Sequence, residues 1–514
     1  MLERWSNRGH SWPAILGWCA LYGSISVIVL YPILATPVVA DDLFNPFGQF
    51  DVAGPGAGSA VRYGWEGATG GVSFRVIGNP FGALYNWLWL AAGARFGVSL
   101  TTFFAVTKLI VLVLDATAIA WTWRNMSELY ARVPIAFTSA LCWVSLTLFG
   151  TAQIHAGWSN DPVADYPLAG YGSAALGFLT IGTAARLASR QQPRYAVAAV
   201  VASTVAVMYY EINIGAVIGA AVLLAAVQVS EHHADRSTKP TFLIGAVAVP
   251  VVPAMIVIAG RFVTSSPSDG TYAGTTVRFD RAAITFIRGV VTSIPGSTWR
   301  LSISHLGGRL GLVFFVFGTV ALVAMALRLT TMAADGNAAH NERSNIETWT
   351  RRGWLIPAGC VATVVIYATF SLALQSITVK VQDEAPAVGY VYTWYAMTSS
   401  AVALLLATGA RRIARHSYGS MGTVVVVLSL CFLFVQNTVN WRLSEQLTES
   451  YGANRRLLDA FADEVPVERR CATLVNWTSI DWPGYYEDGI VDGLQEAFAH
   501  YFDEPFCPFG FGDG

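Results

Sequence analysis

Charged residues are scarce in this chain of 514 residues, where Asp, Glu, Lys and Arg together make up 13%. A soluble globular protein carries about 25% charged residues, so the composition excludes an ordinary cytosolic enzyme and a disordered chain. The 32 basic and 33 acidic residues nearly cancel. This balance excludes the strongly basic character of a nucleic-acid-binding protein, and no nucleic-acid partner is expected.

The chain also lacks the common motifs of nucleotide and protease chemistry. It contains no Gly-x-x-x-x-Gly-Lys-Ser/Thr phosphate loop, no Gly-x-Gly-x-x-Gly strand–helix unit and no His-Glu-x-x-His. An internal repeat of 20–50 residues and a heptad run are absent as well. These absences argue against an ATP-driven pump, a dinucleotide enzyme and a zinc protease.

Apolar residues are abundant instead, at 54% of the chain with 12% aromatic residues, and the mean hydropathy is +0.48. A helix needs about 20 apolar residues to cross a bilayer, and runs of this kind recur along the sequence. We therefore predict an all-α polytopic membrane protein with about eleven spans, within a range of ten to thirteen. The predicted spans are 14–36, 101–123, 133–152, 169–187, 195–211, 212–230, 241–260, 309–329, 354–376, 390–410 and 421–439.

Lys and Arg are distributed unevenly over the short loops between these spans. If the N-terminus is cytoplasmic, the short loops on the opposite side hold only Lys380, as the positive-inside rule requires. The sequence therefore predicts a cytoplasmic N-terminus and an extracytoplasmic C-terminus. Residues 1–439 form the predicted transmembrane domain, with outer loops 37–100 and 261–308, and residues 440–514 form an outer C-terminal region.

Cysteine is rare, with six residues in the chain. Cys471 and Cys507 lie in the outer C-terminal region, and the other four lie in apolar spans. Two cysteines in an oxidising compartment favour one disulfide. Two free thiols are the alternative.

The strongest candidate for chemistry is an acidic pair, Asp41 and Asp42, directly after the first span. It opens the segment Ala-Asp-Asp-Leu-Phe-Asn-Pro-Phe-Gly at 40–48. Acidic residues at the edge of a membrane are costly to desolvate and tend to be functional, although a helix that simply ends in water is the alternative. The same loop continues into 75–98, whose aromatic pattern predicts an interfacial helix, with a short extra span as the alternative.

A second acidic group is predicted on the same side of the membrane. Asp161 and Asp165 lie in the loop after the third span, and Glu211 lies at the outer end of the fifth. Such carboxylates can hold a divalent cation or supply a general base. A metal is not required, and if one binds, the expected ligands are Asp42, Asp161 and Glu211. The alternatives are loop solvation for the two aspartates and a buried structural hydrogen bond for Glu211.

Four basic residues are candidates for binding a phosphate at headgroup depth. Lys108 lies in the second span, and Arg288, Arg300 and His305 lie in loop 261–308. Arginine matches the geometry of phosphate oxygens. The alternatives are a structural ion pair for Lys108 and contact with anionic lipid headgroups for the loop residues.

This layout resembles that of the GT-C glycosyltransferases, integral membrane enzymes that take a sugar from a polyprenyl-phosphate carrier. The shared features are an acidic pair after the first span, an interfacial helix in the first outer loop and a polar outer C-terminal region. The order of elements is most similar to that of bacterial enzymes that glycosylate O-antigen or cell-wall polysaccharide, such as the serotype-converting glucosyltransferases. At the level of motifs, the resemblance covers 40–48 and 155–165.

The resemblance implies a catalytic role for Asp41 or Asp42, which would deprotonate an acceptor hydroxyl as that hydroxyl attacks the anomeric carbon with inversion. It implies a second acidic site at Asp161, Asp165 or Glu211. The expected partners are a polyprenyl-phosphate sugar donor, a polysaccharide or lipid-linked glycan acceptor and membrane lipid, at the outer face of a bacterial inner membrane. No Trp-Trp-Asp-type motif occurs in the C-terminal region, so a peptide acceptor is not expected. The alternatives are a transporter or flippase for a lipid-linked or polar solute and a non-catalytic subunit of cell-envelope assembly.

Overall fold

A computed structural model describes most of the chain, and its helices account for nearly all of the regular structure. The described residues are 12–69, 75–131, 134–155, 161–233, 238–264, 276–298, 354–416, 420–462, 465–479 and 484–508. Within these ranges there is no β-strand, and the one β-contact is an isolated antiparallel bridge between Val277 and Thr378. The predicted all-α class is confirmed for this part of the chain.

Seventeen α-helices occupy the described ranges. In chain order they are α1 (Trp12–Leu34), α2 (Ala40–Ala53), α3 (Ala57–Thr69), α4 (Gly78–Phe96), α5 (Leu100–Tyr130), α6 (Phe137–Thr151), α7 (Ser173–Arg190), α8 (Pro193–Tyr209), α9 (Ile214–His233), α10 (Pro240–Thr264), α11 (Ala282–Thr292), α12 (Leu355–Ser376), α13 (Val379–Glu384), α14 (Trp394–His416), α15 (Ser420–Ala462), α16 (Val467–Thr478) and α17 (Gly484–Phe502). A π-helical turn precedes α7 at Leu168–Gly172, and a 3₁₀ turn precedes α9 at Glu211–Asn213.

Within the described ranges, five helical segments are long and apolar enough to cross a membrane, as a membrane-embedded protein requires. They are Leu100–Tyr130, Leu168–Arg190, Glu211–His233, Pro240–Gly260 and Leu355–Ser376. Each coincides with a predicted span, and the remaining predicted spans also fall on helices, apart from 309–329, which lies outside the described residues. The total of eleven spans and the GT-C fold stay predictions.

Small and hydroxyl-bearing residues bring the long helices close together in the bundle. A Cβ at Gly182 of α7 would lie 2.7 Å from the hydroxyl of Thr122 on α5, and Thr122 donates a hydrogen bond to the carbonyl of Phe178 at 2.6 Å. In the same way, Thr363 of α12 donates to the carbonyl of Gly219 on α9 at 2.9 Å. In lipid, close backbone approach and interhelical hydrogen bonds hold helices together because apolar surface alone gives no preference for protein over lipid.

A second hydrophobic cluster, separate from the bundle core, joins the segment 37–100 to the C-terminal region. Helices α2 and α4 pack there against the end of α15, α16 and α17. The buried members include Leu43, Phe47, Trp89, Leu457, Phe461, Leu474, Trp477, Leu494 and Phe498. Helix α15 has 43 residues, or about 65 Å at 1.5 Å per residue, which exceeds the ~30 Å hydrocarbon core. One continuous segment, kinked at Tyr451, therefore carries the chain from the last predicted span into this cluster.

Two glycines let α17 approach α2 closely. A Cβ at Gly493 would lie 2.0 Å from the carbonyl oxygen of Phe47, and a Cβ at Gly489 would lie 2.6 Å from the Phe44 ring. Positions four residues apart lie on one face of a helix, so both glycines point at α2. The helix that bears the acidic pair is therefore docked on the C-terminal region.

The end of the C-terminal region is fastened covalently. Cys471 of α16 and Cys507 form a disulfide with a Cα–Cα distance of 4.9 Å. Beside it, the buried Arg470 donates hydrogen bonds to the carbonyl of Phe506 at 3.1 Å and to Glu504 at 2.8 Å. The segment that follows α17 is thereby held against α16.

Candidate active site

Asp42 lies beside a cavity of about 140 Å³ at the junction of α2, α4, the π-helical turn and the end of α8. Its polar lining consists of one carboxylate, one guanidinium, three side-chain amides and four phenols. These groups belong to Asp42, Arg75, Asn45, Asn79, Asn86, Tyr85, Tyr166, Tyr209 and Tyr210. Chain segments that are far apart in the sequence therefore meet at one polar cavity.

Helix α2 begins at Ala40 and places Asp42 in its first turn, where the helix dipole favours a negative charge. The carboxylate is half-buried, and its Oδ2 accepts a hydrogen bond from the backbone N–H of Tyr166 at 2.9 Å. The backbone of Asp41 lies in the same turn, whereas its side chain lies outside the described part of the chain. The structure thus places the Asp42 carboxylate at the cavity.

Tyr166 adopts a backbone φ of 49°, in the left-handed region that a bulky side chain rarely occupies. Its N–H bonds to Asp42 in this conformation, and its side chain lines the cavity. The π-helical turn Leu168–Gly172 follows almost at once. Left-handed non-glycine residues and π-helical turns both concentrate at functional sites.

Arg75 and Glu211 form an ion pair at the cavity wall. Nε of Arg75 donates to Oε2 of Glu211 at 2.8 Å, and Nη2 donates to Oε1 at 2.9 Å. The guanidinium carbon lies 4.0 Å from the centroid of the Tyr210 ring. Burial opposes the charge, but the Glu211 carboxylate together with Tyr210 and Tyr392 outweighs it and holds the pKa of Arg75 above its ordinary value. The cation is therefore permanently charged, and its side chain keeps 32% exposure.

Helix α4 is held to α2 and α5 by polar contacts around the cavity. Asn86 donates a hydrogen bond to the side chain of Gln49 on α2 at 3.2 Å, and the hydroxyl of Tyr85 donates to Thr107 on α5 at 3.1 Å. Burial raises the pKa of the Tyr85 phenol, and the nearby Asp42 carboxylate raises it further. Tyr85 is consequently a neutral hydroxyl that donates to Thr107 and can accept a further hydrogen bond.

Lys108 of α5 is buried, with 1% exposure, and is not part of the cavity lining. Its ammonium donates a hydrogen bond to the hydroxyl of Thr36. The carboxylates of Asp42, Asp165 and Asp161 are the charged groups that act on it. The structure therefore places this predicted phosphate ligand among carboxylates.

Asp161 and Asp165 are both fully buried. Asp161 accepts hydrogen bonds from the backbone N–H of His155 at 2.7 Å and of Val163 at 2.9 Å. The backbone N–H of Asp165 donates to the carbonyl of Asp161 at 2.6 Å. Asp161 thereby organises the loop that presents Tyr166 to Asp42.

Of the other predicted phosphate ligands, one lies away from the cavity and two lie outside the described residues. Arg288 is a half-buried residue of α11 and does not line the cavity. Arg300 and His305 lie outside the described residues. The structure thus supplies a different cation, Arg75, at the cavity.

The predicted metal ligands are not gathered into one group. Among the residues that the structure describes, no set of three or more His, Cys, Asp and Glu side chains is placed to hold a metal ion. Asp42 lines the cavity and Glu211 is paired with Arg75, whereas Asp161 is occupied by backbone N–H groups.

Arg75 and the cavity tyrosines were not predicted as site residues. Their available signal was proximity to predicted acids, since Tyr166 follows Asp165 and Tyr210 precedes Glu211 in the sequence. Arg75 had no comparable neighbour. Only the fold brings it to Glu211.

No protein-family model, no curated protein and no solved structure gives a significant match to the chain. The case for function therefore depends on the geometry of the cavity.

Proposed function

We propose that the chain is a GT-C-type glycosyltransferase that moves a sugar from a polyprenyl-phosphate donor to a glycan or lipid-linked acceptor at the outer face of the membrane. The observation that supports it is that a carboxylate, Asp42, and a guanidinium, Arg75, border the same cavity. A lipid-phosphate donor brings its own leaving group, so the protein needs a base and a cation at the phosphate. The cavity offers both.

Asp42 is the proposed general base. The oxygen of the acceptor hydroxyl forms a bond to the anomeric carbon while the bond from that carbon to the phosphate oxygen breaks. The bonding electrons leave with the polyprenyl phosphate, and the hydroxyl proton passes to Asp42. A single displacement from the opposite side inverts the anomeric configuration.

Arg75 is the proposed ligand of the donor phosphate. A guanidinium has five N–H donors, and Glu211 accepts two of them, so three remain for another acceptor. Charge-assisted bonds from arginine to phosphate are strong and directional. In this arrangement Glu211 orients the guanidinium without occupying all of its donors.

The remaining lining suits one sugar ring. Side-chain amides offer both donors and acceptors for hydroxyl groups, and three of them border the cavity beside four tyrosines. The hydroxyls of Tyr85, Tyr209 and Tyr210 are already hydrogen-bonded within the protein, so the amides are the main partners for a sugar. The cavity volume of about 140 Å³ is below the ~300–1,000 Å³ of pockets for drug-sized ligands. We therefore assign it to a single monosaccharide unit.

The proposal is tested with Asp42→Asn, and mass spectrometry of cell-surface glycans provides a readout that does not depend on the identity of the acceptor. Loss of a general base slows a reaction by about 10²–10⁴-fold, so cells with Asp42→Asn are expected to lack the added sugar. The matched control is Asp51→Asn, which removes an exposed carboxylate from the same helix and is expected to leave the glycan intact. Asp41→Asn is measured separately to assign the base within the pair.

Three results would contradict the proposal. Wild-type glycans from Asp41→Asn, from Asp42→Asn and from the double variant would exclude catalysis by this pair. Uptake coupled to an ion gradient in proteoliposomes, without sugar transfer, would identify a transporter. Full function after the carboxylate changes, with loss on removal of 440–514, would identify a non-catalytic subunit.

A further inference from the structure

Helix α11 is fixed to the bundle along one face. Thr285, Gly289 and Thr292 are buried on that face, and a Cβ at Gly289 would lie 2.4 Å from the side chain of Leu372 on α12. The hydroxyl of Thr292 also accepts a hydrogen bond from the backbone N–H of Gly389 at 2.9 Å. The orientation of α11 is therefore set by close packing.

A second face of α11 is apolar and exposed. Ile284, Ile287 and Val291 are 43%, 55% and 39% exposed. Their spacing of three and four residues forms one stripe along a helix. Exposed apolar surface costs about 25 cal/mol per Å² in water, so this stripe is suited to the hydrocarbon of a bilayer.

Two arginines lie at the edge of this apolar stripe. Arg281 and Arg288 are seven residues apart, or two helical turns and about 10.5 Å, and the helical wheel places them between the apolar stripe and the buried face. Neither guanidinium has a hydrogen-bond or ion-pair partner among the described residues, whereas the neighbouring Arg278 is bound by Gln382 and Asp383.

The positive charge of α11 favours the binding of an anion. The helix itself carries no acidic residue, and the acid that precedes it, Asp280, is paired with Arg278 at 3.4 Å. Arg281 and Arg288 are therefore the charges on this helix that an anion from outside could bind. Arginines beside an apolar stripe are the pattern of a helix that lies in the membrane interface and contacts lipid phosphates.

We propose that α11 binds anionic phospholipid, with the isoleucine and valine side chains against the acyl chains and the guanidinium groups of Arg281 and Arg288 on the lipid phosphates. The apolar stripe assigns the surface to a lipid, because a soluble anion makes no use of it. None of these residues lines the cavity, so this surface is independent of the proposed sugar transfer. Arg288 then meets the membrane rather than the sugar donor.

The test titrates the purified full-length protein with phosphatidylglycerol and, separately, with phosphatidylcholine, and counts bound lipids by native mass spectrometry. Each surface arginine near anionic lipid is worth about fivefold in binding, so the double variant Arg281→Gln/Arg288→Gln is expected to bind phosphatidylglycerol about 30-fold more weakly. Its binding of phosphatidylcholine is expected to stay unchanged.

The matched control is Arg62→Gln/Arg469→Gln, which removes the same charge from exposed positions on α3 and α16 and is expected to keep phosphatidylglycerol binding. Equal binding by both double variants, or an equal loss in both, overturns the proposal. Displacement of phosphatidylglycerol by inorganic phosphate at millimolar concentration also overturns it, because that result identifies a site for soluble anions.

Ile287→Asn provides a second test that keeps both arginines. It places an amide in the middle of the apolar stripe and is expected to weaken the binding of both lipids. Unchanged binding of both would contradict the role of the stripe. No glycan is measured in these experiments, so their outcome is separate from that of the Asp42 variants.

Discussion

Arg75 and Glu211 are 136 positions apart in the chain and are joined by two hydrogen bonds of 2.8 and 2.9 Å. Glu211 opens the 3₁₀ turn between α8 and α9, and Arg75 precedes α4. The pair therefore fastens the segment 37–100 to the bundle at the wall of the cavity. It also fixes the direction in which the remaining donors of the guanidinium point.

The proposed contact of Arg75 with phosphate predicts a specific kinetic defect. Arg75→Lys keeps the charge but loses the fork geometry. Because hydrogen bonds to charged groups contribute about 1.5–3 kcal/mol, KM for the polyprenyl-phosphate donor is expected to rise about tenfold or more, as measured by sugar transfer in proteoliposomes. Glu211→Gln retains an acceptor for Arg75 and is expected to have a smaller effect. An equal defect in both variants would show that Arg75 serves only to fasten the loop.

The burial of Lys108 among carboxylates predicts strong coupling in stability. Removing one partner of a buried charge group costs about 3–5 kcal/mol, so Lys108→Met is expected to lower the thermal unfolding temperature. Adding Asp165→Asn is expected to restore part of the loss, because it removes a carboxylate that acts on Lys108. Asp115 lies on the same helix and accepts a hydrogen bond from Ser400 at 2.5 Å, so Asp115→Asn serves as the control. Its effect on the unfolding temperature is expected to add to that of Lys108→Met.

The same variant has an expected signature in catalysis. A nearby cation favours the ionised form of a carboxylate, so the loss of Lys108 requires a higher pH to ionise the base. The acid limb of the pH–rate profile of Lys108→Met is therefore expected to move to higher pH. A pH profile that stays in place, together with additive effects of Lys108→Met and Asp165→Asn on unfolding, would exclude a role for Lys108 in supporting Asp42.

The contact between α17 and α2 predicts that Gly493 controls the site from a distance. Gly493→Ala adds a Cβ that would lie 2.0 Å from the Phe47 carbonyl, so α2 must move. Overpacking of this kind costs about 1–3 kcal/mol, and a drop in both unfolding temperature and sugar transfer is expected. Gly409→Ala on α14 meets no atom within 4 Å and is expected to be neutral or slightly stabilising. Unaltered transfer by Gly493→Ala would show that the position of Asp42 does not depend on α17.

The helices were largely predictable because the length of an apolar run is a local property of the sequence. The prediction was less accurate where a helix contains polar residues that are buried against other helices. The predicted span 101–123 lies within α5, which continues to Tyr130. The extra turns contain polar residues, such as Asn125, which is buried and donates a hydrogen bond to the carbonyl of Gly182 at 3.2 Å. A hydropathy profile cannot distinguish such a residue from one that faces water.

The site was predictable only in part, for a related reason. Asp42 and Glu211 stood out because acids at the ends of apolar runs are unusual. Arg75 lies in a polar loop where an arginine is unremarkable, and its role arises from docking against a residue far along the chain. Likewise, the four-residue spacing of Gly489 and Gly493 can be recognised as a helix contact only when α2 is known to lie opposite.

The docking of α2 on α17 also sets an order of events during biosynthesis. The turn that carries Asp42 is made early, and Gly493, on which the Phe47 backbone rests, is made after almost all of the other helices. A growing chain therefore contains Asp42 long before it contains the support for α2. Synthesis of α17, rather than formation of the early helices, is the step that gives this wall of the cavity its final shape.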